Sequence, residues 1–261
     1  MDRDGYSIWI FQQNVIIVAI YSCLFFFVVF FCYVSLKNRS WMEFSGKRVL
    51  LVIAHPDDEC MFFGPVIYHA CRAASSFSLL CLTKGNYYKK GDERKKELLQ
   101  SCRILGIKSV TTLDNQNIVD NPNVMWNANV VSDILLQHIR THNINLIITF
   151  DKYGVSGHRN HRSIYPGLKR LIEQKSIPYI VSVYTLDSVM LLRKYIFALD
   201  LIWSYFTRRL IYVSSLSHLL RCQKAMAAHK TQYVWFRKLY VIFSRYMIVN
   251  TLTQVYGFKR K

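Results

Sequence analysis

The sequence predicts an α/β fold: a Rossmann-like, mostly parallel sheet with helices on both faces, preceded by one N-terminal transmembrane helix. Three observations lead to this prediction. A long uncharged run stands near the N-terminus, runs typical of buried strands then alternate with runs of helical length, and the loops between them are short. Such alternation places parallel strands between two layers of helices.

The transmembrane anchor is predicted at residues 15–36, a run of 22 residues without a charge. A helix of this length reaches roughly 33 Å, enough to cross the hydrocarbon core of a bilayer. The alternative is a cleaved signal peptide, which favours a basic start and a shorter apolar core. Because Asp2, Arg3 and Asp4 precede the run, we interpret it as a retained anchor.

Basic residues set the expected orientation of the anchor. Four of them follow it closely: Lys37, Arg39, Lys47 and Arg48. The N-terminal side is about neutral. The positive-inside rule then predicts a lumenal segment at residues 1–14 and one cytosolic domain at residues 37–261.

The predicted domain alternates strands and helices. Strands are predicted at residues 48–55, 77–83, 109–113, 145–151 and 179–185. Helices are predicted between them at residues 62–74, 91–105, 126–142 and 162–175. Ligands of such sheets bind beyond the carboxyl ends of the strands, so polar clusters at those ends are the first candidates for a functional site.

Two predicted strands end in polar clusters, "HPDDE" at 55–59 and "FDKYGVSGHRNH" at 150–161. Helix capping explains one or two of the acids in the first cluster. It does not explain three acids beside a histidine. A bound cation does, because it turns the repulsion between carboxylates into attraction.

The residue types suit Zn²⁺ or another divalent metal. His55 and Asp58 would supply a nitrogen and an oxygen ligand, and Asp57 would remain free to take a proton from a bound water. His158 and His161 share one face of a helical turn. One of them would complete the three ligands of a catalytic zinc site, and the other would donate to the oxyanion formed when water attacks a carbonyl. The residues alone leave open which does which.

The two motifs together resemble those of the zinc-dependent LmbE-like (PIG-L) deacetylase family. The anchor and the C-terminal "MAAHKTQYVWFRKLYVIFSRYMIVNTL" at 226–252 resemble its eukaryotic branch. This resemblance implies an LmbE-like fold at the endoplasmic reticulum membrane. It also implies removal of the acetyl group from N-acetylglucosaminyl-phosphatidylinositol, the second step of GPI-anchor biosynthesis.

The resemblance also implies roles for single residues. His55, Asp58 and His161 become the metal ligands, Asp57 the general base, and His158 the residue that stabilises the oxyanion. Four residues are expected to contact the substrate: Arg159, Asn160, His229 and Gln232. For the last two, which lie in "HKTQ", a helix-capping or core role is the alternative.

Two acids near the motifs have less defined expected roles. Asp151 precedes the histidine pair, and we expect it to orient one of those histidines. Glu59 is assigned no further than helix capping or support of the metal site. Both expectations concern residues that would act through a neighbour.

The C-terminal part of the chain is basic and aromatic. Residues 193–261 carry thirteen Lys and Arg and one acid, Asp200, and the whole chain has a formal charge of +18. Two interpretations stay open: interfacial helices on an anionic membrane surface, or core helices with a solvated basic face. Nucleic-acid binding would also explain the charge, but no motif of that class is present. We expect a membrane glycolipid and an anionic membrane as partners, no nucleic acid, and leave protein partners open.

Two other functions remain as alternatives. One is deacetylation of a different acetamido sugar. The other is a non-catalytic, membrane-bound member of the fold. The complete set of histidines and aspartates disfavours it, because a site without catalytic activity could lose any of them.

Overall fold

A seven-stranded sheet forms the centre of the computed structural model, which describes residues 3–37, 44–178, 180–196, 199–207 and 210–257. The strands of this sheet are β1 (Arg48–Ile53), β2 (Ser76–Cys81), β3 (Ser109–Thr112), β4 (Leu146–Phe150), β5 (Ser182–Leu186), β6 (Leu210–Val213) and β7 (Val249–Tyr256). Their order is β3-β2-β1-β4-β5-β7-β6. The first five strands are parallel, as the sequence predicts.

Helices connect the strands and cover the sheet. In the described residues they are α1 (Arg3–Lys37), α2 (Asp58–Phe62), α3 (Gly64–Ala73), α4 (Gly91–Leu105), α5 (Ala128–Thr141), α6 (Gly154–Gly157), α7 (Arg159–Glu173), α8 (Leu191–Tyr195), α9 (Asp200–Thr207), α10 (Leu216–Ala228) and α11 (Trp235–Phe243), with a 3₁₀ turn at Arg245–Met247. The helix predicted at 62–74 is α3, with α2 directly before it. The break fits Pro65 in the first turn of α3, because proline begins a helix readily but cannot continue one.

The strand order reverses between β1 and β4. β1 pairs in parallel with β2 on one side and with β4 on the other. Crossovers that leave these two strands in opposite directions open a crevice at their carboxyl ends. Both polar motifs follow these two strands, so the topology brings them to the same crevice.

The central strands are buried on both faces. Residues 49–53 of β1 are fully inaccessible to solvent, as expected for parallel strands covered by two helical layers. Each buried Val, Leu or Ile side chain stabilises the fold by about 1.5–3 kcal/mol. The strand that ends in "HPDDE" is therefore a rigid support for that motif.

The C-terminal edge of the sheet was not predicted from the sequence. β7 lies antiparallel between β5 and β6, with Leu252 opposite Leu186 on one side and Leu210 on the other. The segment is half buried and mixes threonine and asparagine with apolar residues. Because it lacks the continuous apolar character of β1, it gave no clear strand signal.

Helix α1 contains a window, Asn14–Phe31, that is long and apolar enough to cross a membrane. Its side chains in that window are mostly exposed. The C-terminal end of the helix contacts the body: Tyr33 donates a hydrogen bond to the carbonyl of Ser214 at 3.2 Å, and the Phe31 and Tyr205 rings meet edge to face at 6.5 Å. The end of α1 is thus packed on α9 and on the end of β6.

A buried ion cluster joins α8, α9 and the 3₁₀ turn. The carboxylate of Asp200 accepts hydrogen bonds from Arg193 at 2.7 Å, Arg245 at 2.6 Å and Ser204 at 2.7 Å. Asp200 and Arg245 are both completely buried. Two arginines therefore depend on one carboxylate for charge compensation.

Helices α9 and α11 each expose an apolar face, which we call the aromatic face. Its members are Trp203 and Phe206 of α9 and Trp235, Phe236, Leu239, Ile242 and Phe243 of α11. Other residues of these helices are buried: Leu201 in α9, and Tyr240 and Val241 in α11. Large apolar side chains exposed close together on one helix are typical of a site of contact with a partner or a membrane.

Candidate metal centre and active site

Three side chains from the two motifs converge at the crevice between β1 and β4. His55 Nδ1 lies 3.2 Å from His161 Nε2. His161 Nε2 lies 3.1 Å from Asp58 Oδ1, and His55 Nδ1 lies 3.8 Å from Asp58 Oδ2. These three are the predicted metal ligands.

The separations fit a tetrahedral divalent metal. With zinc–ligand bonds of about 2.0–2.1 Å, tetrahedral ligand atoms lie roughly 3.3 Å apart. The distances from His161 Nε2 to His55 Nδ1, 3.2 Å, and to Asp58 Oδ1, 3.1 Å, are close to that value. Two imidazoles and one carboxylate are also a donor set that zinc accepts. The residues present therefore suit the ion that the sequence predicts.

The Asp58 carboxylate is fixed by the backbone of its own loop. Its Oδ2 accepts the N–H groups of Ala54 at 3.0 Å and His55 at 2.9 Å, which leaves Oδ1 facing His161. Burial disfavours its charge, but the neighbouring His161 and His55 outweigh burial and hold the pKa of Asp58 below its usual range. The side chain is thus a carboxylate, the form that binds a cation.

His161 is oriented through the loop before it. Its Nδ1–H donates to the carbonyl of Gly154 at 3.1 Å, and its ring stacks on Phe150 at 4.3 Å. Gly154 has φ +65°, and a Cβ there would lie 2.8 Å from the Cβ of His161. Asp151 accepts the Gly154 N–H at 2.9 Å, so it supports His161 through Gly154 rather than by contact with either histidine.

The second ring nitrogen of His55 faces two oxygen atoms. Nε2 lies 3.0 Å from Asn160 Oδ1 and 3.1 Å from Asp120 Oδ1. Two acceptors at Nε2 place the proton on that nitrogen and leave Nδ1 free as a ligand. Burial lowers the pKa of His55, but Asp120 and Asp58 outweigh burial and raise it.

Asp120 was not predicted from the sequence. It lies in the loop after β3, and its Oδ2 accepts the backbone N–H of Tyr87 at 3.0 Å. A signal was present: β3 is parallel to β1 and β4, so its following loop reaches the same edge of the sheet. The lone acid in "NIVDNPN" is the residue that this reasoning would have selected.

Asp57 lies beside the three ligands in an unusual backbone conformation. It has φ +111°, in the left-handed region that non-glycine residues rarely adopt, and its side chain is nearly buried. Arg237 Nη1 lies 2.9 Å from Asp57 Oδ2 and Arg94 Nη2 lies 3.7 Å from it. The Arg237 approach is an ion pair without the angle of a hydrogen bond, so Oδ2 keeps its acceptor capacity.

Glu59 holds Asp57 in that conformation. Its Oε2 accepts the Asp57 backbone N–H at 3.0 Å. Its Oε1 accepts from Ser101 Oγ at 2.5 Å and from His229 Nε2 at 2.7 Å. Strained left-handed residues cost about 1–3 kcal/mol and persist only where the surroundings enforce them. The role that the sequence left open for Glu59 is thus support of Asp57.

His229 lies behind Glu59 and away from the cavity. Its side chain is fully buried, which does not match the predicted contact with substrate and favours the alternative core role. Burial alone would lower the pKa of His229, but the effect of the Glu59 carboxylate is larger and the pKa is raised. With Cys60, these residues form a second group within metal-binding distance. Burial keeps the pKa of the Cys60 thiol well above its usual range, so the thiolate that a metal needs is disfavoured.

His158 lies at the edge of the group of three predicted metal ligands. Its ring centre is 4.8 Å from that of His55 and 5.0 Å from that of His161. Its Nδ1 accepts the Asn160 N–H at 3.3 Å and caps α7. Partial burial and the two neighbouring histidines lower the pKa of His158 to about 4. Its geometry allows either a third imidazole ligand or a donor to the substrate.

One cavity of about 350 Å³ is lined by the predicted metal ligands and catalytic residues, His55, Asp57, Asp58, His158 and His161. Its other walls include the aromatic residues Phe62, Tyr87, Tyr88 and Phe236 and the polar residues Arg94, Asp120, Gln232 and Arg237. Of the four predicted substrate contacts, Gln232 lines the cavity. Arg159 instead donates to the carbonyl of Asn123, and Asn160 donates to Asn121 and Val124 at 3.1 and 3.0 Å. Both therefore hold the loop of Asp120.

Comparison with known proteins agrees with the motifs. A protein-family model described as "PIG-L: GlcNAc-PI de-N-acetylase" matches residues 50–172. The N-acetylglucosaminyl-phosphatidylinositol de-N-acetylase of Bos taurus is 46% identical over 211 residues, which are 80% of this chain and 83% of the bovine protein. The chain belongs to the PIG-L family.

Two further proteins are similar to this PIG-L family protein at lower identity. A probable N-acetylglucosaminyl-phosphatidylinositol de-N-acetylase of Dictyostelium discoideum is 34% identical over 84% of this chain and 97% of that protein. The N,N'-diacetylchitobiose deacetylase of Pyrococcus horikoshii, a solved structure, has a TM-score of 0.60 at 16% identity, covering 85% of this chain and 87% of that one. At that identity the likeness shows the fold alone.

The matched family region contains both motifs but not the whole cavity of this PIG-L family protein. Gln232, Phe236 and Arg237 line the cavity from outside residues 50–172. They come from α11 and the segment before it, the helix that also carries part of the aromatic face. The C-terminal part of the chain thus closes the site from its own side.

Proposed function

We propose that this protein hydrolyses the N-acetyl group of N-acetylglucosaminyl-phosphatidylinositol and releases acetate and glucosaminyl-phosphatidylinositol, the second step of GPI-anchor biosynthesis. The observation that carries this proposal is the convergence of His55, Asp58 and His161 beside Asp57 in a cavity. The names of the relatives supply the substrate.

His55, Asp58 and His161 would hold a zinc ion, and the histidines keep their ligand nitrogens free because Asn160, Asp120 and Gly154 engage the others. When bound, the ion would acidify a water molecule and polarise the acetamide carbonyl.

The protein's own groups then move the protons. Asp57 takes a proton from the attacking water as the new C–O bond forms, and returns it to the sugar nitrogen as the C–N bond breaks. His158 donates a hydrogen bond to the acetamide oxygen as negative charge develops there. Glu59 keeps Asp57 aimed into the cavity through the backbone N–H.

Acetate release from N-acetylglucosaminyl-phosphatidylinositol by the purified full-length protein tests the function. We expect release to stop with a chelator and to return with added Zn²⁺, because chelation removes the cation from its ligands. His55→Ala should lose bound metal and activity together. His142→Ala is the matched control, since His142 lies exposed at the end of α5. Absence of acetate release under every metal condition would refute the proposal.

We further propose that the protein is a single-pass protein of the endoplasmic reticulum membrane with its catalytic domain in the cytosol. The support is the apolar window of α1 and the cations Lys37 and Lys47 that follow this window in the sequence; Arg39 lies outside the described residues. The aromatic face would lie on the anionic membrane surface, because it occurs on α9, the helix on which the end of α1 packs.

A glycosylation acceptor engineered into the loop at residues 84–90, directly before α4, tests the orientation. We expect it to stay unmodified in cells, because glycosylation occurs only on the lumenal side. An acceptor added before residue 14, at sufficient distance from the membrane, should be modified and is the positive control. Modification of the loop acceptor would reverse the assigned orientation.

A further inference from the structure

Arg237 is a cation of the cavity that the hydrolysis itself does not require. It lies on α11, outside the residues matched by the family model, and its side chain is 20% exposed. Its Nη1 stands 2.9 Å from Oδ2 of the general base, Asp57. A positive charge next to a base does not help that base accept a proton, so its position calls for another role.

The guanidinium of Arg237 lies over the Phe236 ring, 5.9 Å from its centre, and makes its hydrogen bonds through Nη1 alone. Nη1 donates to the carbonyl of Gln232 at 3.0 Å and to its Oε1 at 2.7 Å. Within the part of the chain that the structure describes, Nε and Nη2 have no hydrogen-bond acceptor. These two nitrogens form the flat edge through which arginine binds phosphate in a bidentate manner.

Arg94, the other arginine of the cavity, is already engaged. It donates to the carbonyl of Gly85 at 3.1 Å and to that of Pro56 at 2.8 Å, and its side chain is 8% exposed. It therefore fixes loops around the motif. Arg237 combines a fixed position with donors left for a ligand.

The place of Arg237 on α11 matches the order of groups in a glycolipid. Trp235, Phe236 and Leu239 of the same helix are exposed members of the aromatic face. Arg237 lines the cavity from this helix and lies beside Asp57, so α11 connects the aromatic face with the site. In the proposed substrate the phosphodiester connects the acyl chains with the part that carries the acetamido sugar.

We propose that Arg237 binds the phosphodiester of the substrate through its Nε and Nη2 edge and makes the protein select a phosphorylated glycolipid. This assignment rests on the proposed function. Gln232 is its positioning residue, because both of its oxygen atoms hold the guanidinium.

The test compares two substrates with the same acetamido sugar, a short-chain N-acetylglucosaminyl-phosphatidylinositol and the phosphate-free N-acetylglucosaminyl-inositol. We divide kcat/KM for the phosphorylated substrate by kcat/KM for the phosphate-free one. This ratio should fall about 10- to 100-fold in Arg237→Gln, as expected for a lost charge-assisted bidentate contact. The fall should lie mainly in KM for the phosphorylated substrate. Arg237→Lys should give a ratio between those of the wild type and Arg237→Gln, because lysine keeps the positive charge but cannot make the bidentate contact.

Lys238→Gln is the matched control. Lys238 is the next residue, is exposed, and lies over the Tyr233 ring at 5.3 Å. It should keep the wild-type ratio. An equal loss of kcat on both substrates in Arg237→Gln would show action on Asp57 instead and would overturn the assignment, as would a wild-type protein without preference for phosphate.

Binding of glycerophosphoinositol, measured by calorimetry, gives a readout that needs no turnover. Arg237→Gln should weaken it at least tenfold, and Lys238→Gln should not; equal affinity in wild type and Arg237→Gln would refute the assignment. If the wild-type protein releases no acetate from either substrate, the proposed function fails, and this binding measurement still decides the role of Arg237.

Discussion

Asp57→Asn should lower the turnover number by about 10²- to 10⁴-fold, the usual contribution of a general base. The amide has the size of the carboxylate but cannot accept the proton of the attacking water. Asparagine also tolerates the left-handed backbone that Asp57 adopts at φ +111°. The fold of the loop and the three metal ligands should therefore stay in place.

The measurement combines steady-state rates of acetate release with the zinc content of the same protein preparation. Asp92→Asn serves as the matched control, because Asp92 is an exposed acid in the first turn of α4. We expect full zinc content in both variants and near wild-type rates only in the control. A metal-replete Asp57→Asn protein with wild-type turnover would remove Asp57 from the mechanism.

Asp200→Asn should lower the free energy of unfolding by about 3–5 kcal/mol, the cost of leaving a buried charge without its partner. The completely buried Arg245 and the largely buried Arg193 both depend on this carboxylate. The variant keeps the size of the side chain, so the change isolates the charge. It lies far from the motifs in sequence and acts on the packing of α9.

Urea unfolding of detergent-solubilised protein measures this effect. Asp133→Asn on the exposed side of α5 is the control and should change the free energy by less than about 0.5 kcal/mol. Arg245→Met tests the same cluster from the other side, because it removes the charge that needs compensation. A loss below about 1 kcal/mol in Asp200→Asn would mean that water reaches the cluster and screens it.

The sequence was informative where local pattern and structure coincide. Strands β1 and β4 are nearly continuous apolar runs because helices cover both of their faces, and this pattern is visible in a single chain. β7 escaped notice because one part of it is half exposed and mixed in composition. Its place between β5 and β6 depends on antiparallel pairing that no local pattern specifies.

The candidate site was predictable for the same reason and to the same extent. His55 and Asp58 lie three positions apart, so the sequence shows them as one cluster. Asp120 lies 65 residues after its contact His55, and Arg237 lies 180 residues after its contact Asp57. Their contacts depend on how a loop and a helix fold over the crevice. The sequence signals only that an aspartate follows a strand and that a basic, aromatic segment exists.

Glu59 and His229 show a further limit. The sequence presents one as an extra acid and the other as part of a motif suggestive of substrate binding. The structure joins them by a hydrogen bond of 2.7 Å between fully buried groups. Burial decides between support and contact, and it depends on the packing of α10 against α2 and α4.

The packing of α1 on α9 and β6 has a consequence for kinetics. In the proposed membrane arrangement, Tyr33 and Phe31 fix the end of α1 to the body, so that α1 is not joined to it by a flexible linker alone. The cavity would then stand at a set height above the lipid, and a glycolipid would reach it by lateral diffusion. The rate would depend on the number of substrate molecules per unit area of bilayer, so inert phospholipid should slow the reaction even when the amount of substrate per volume is constant.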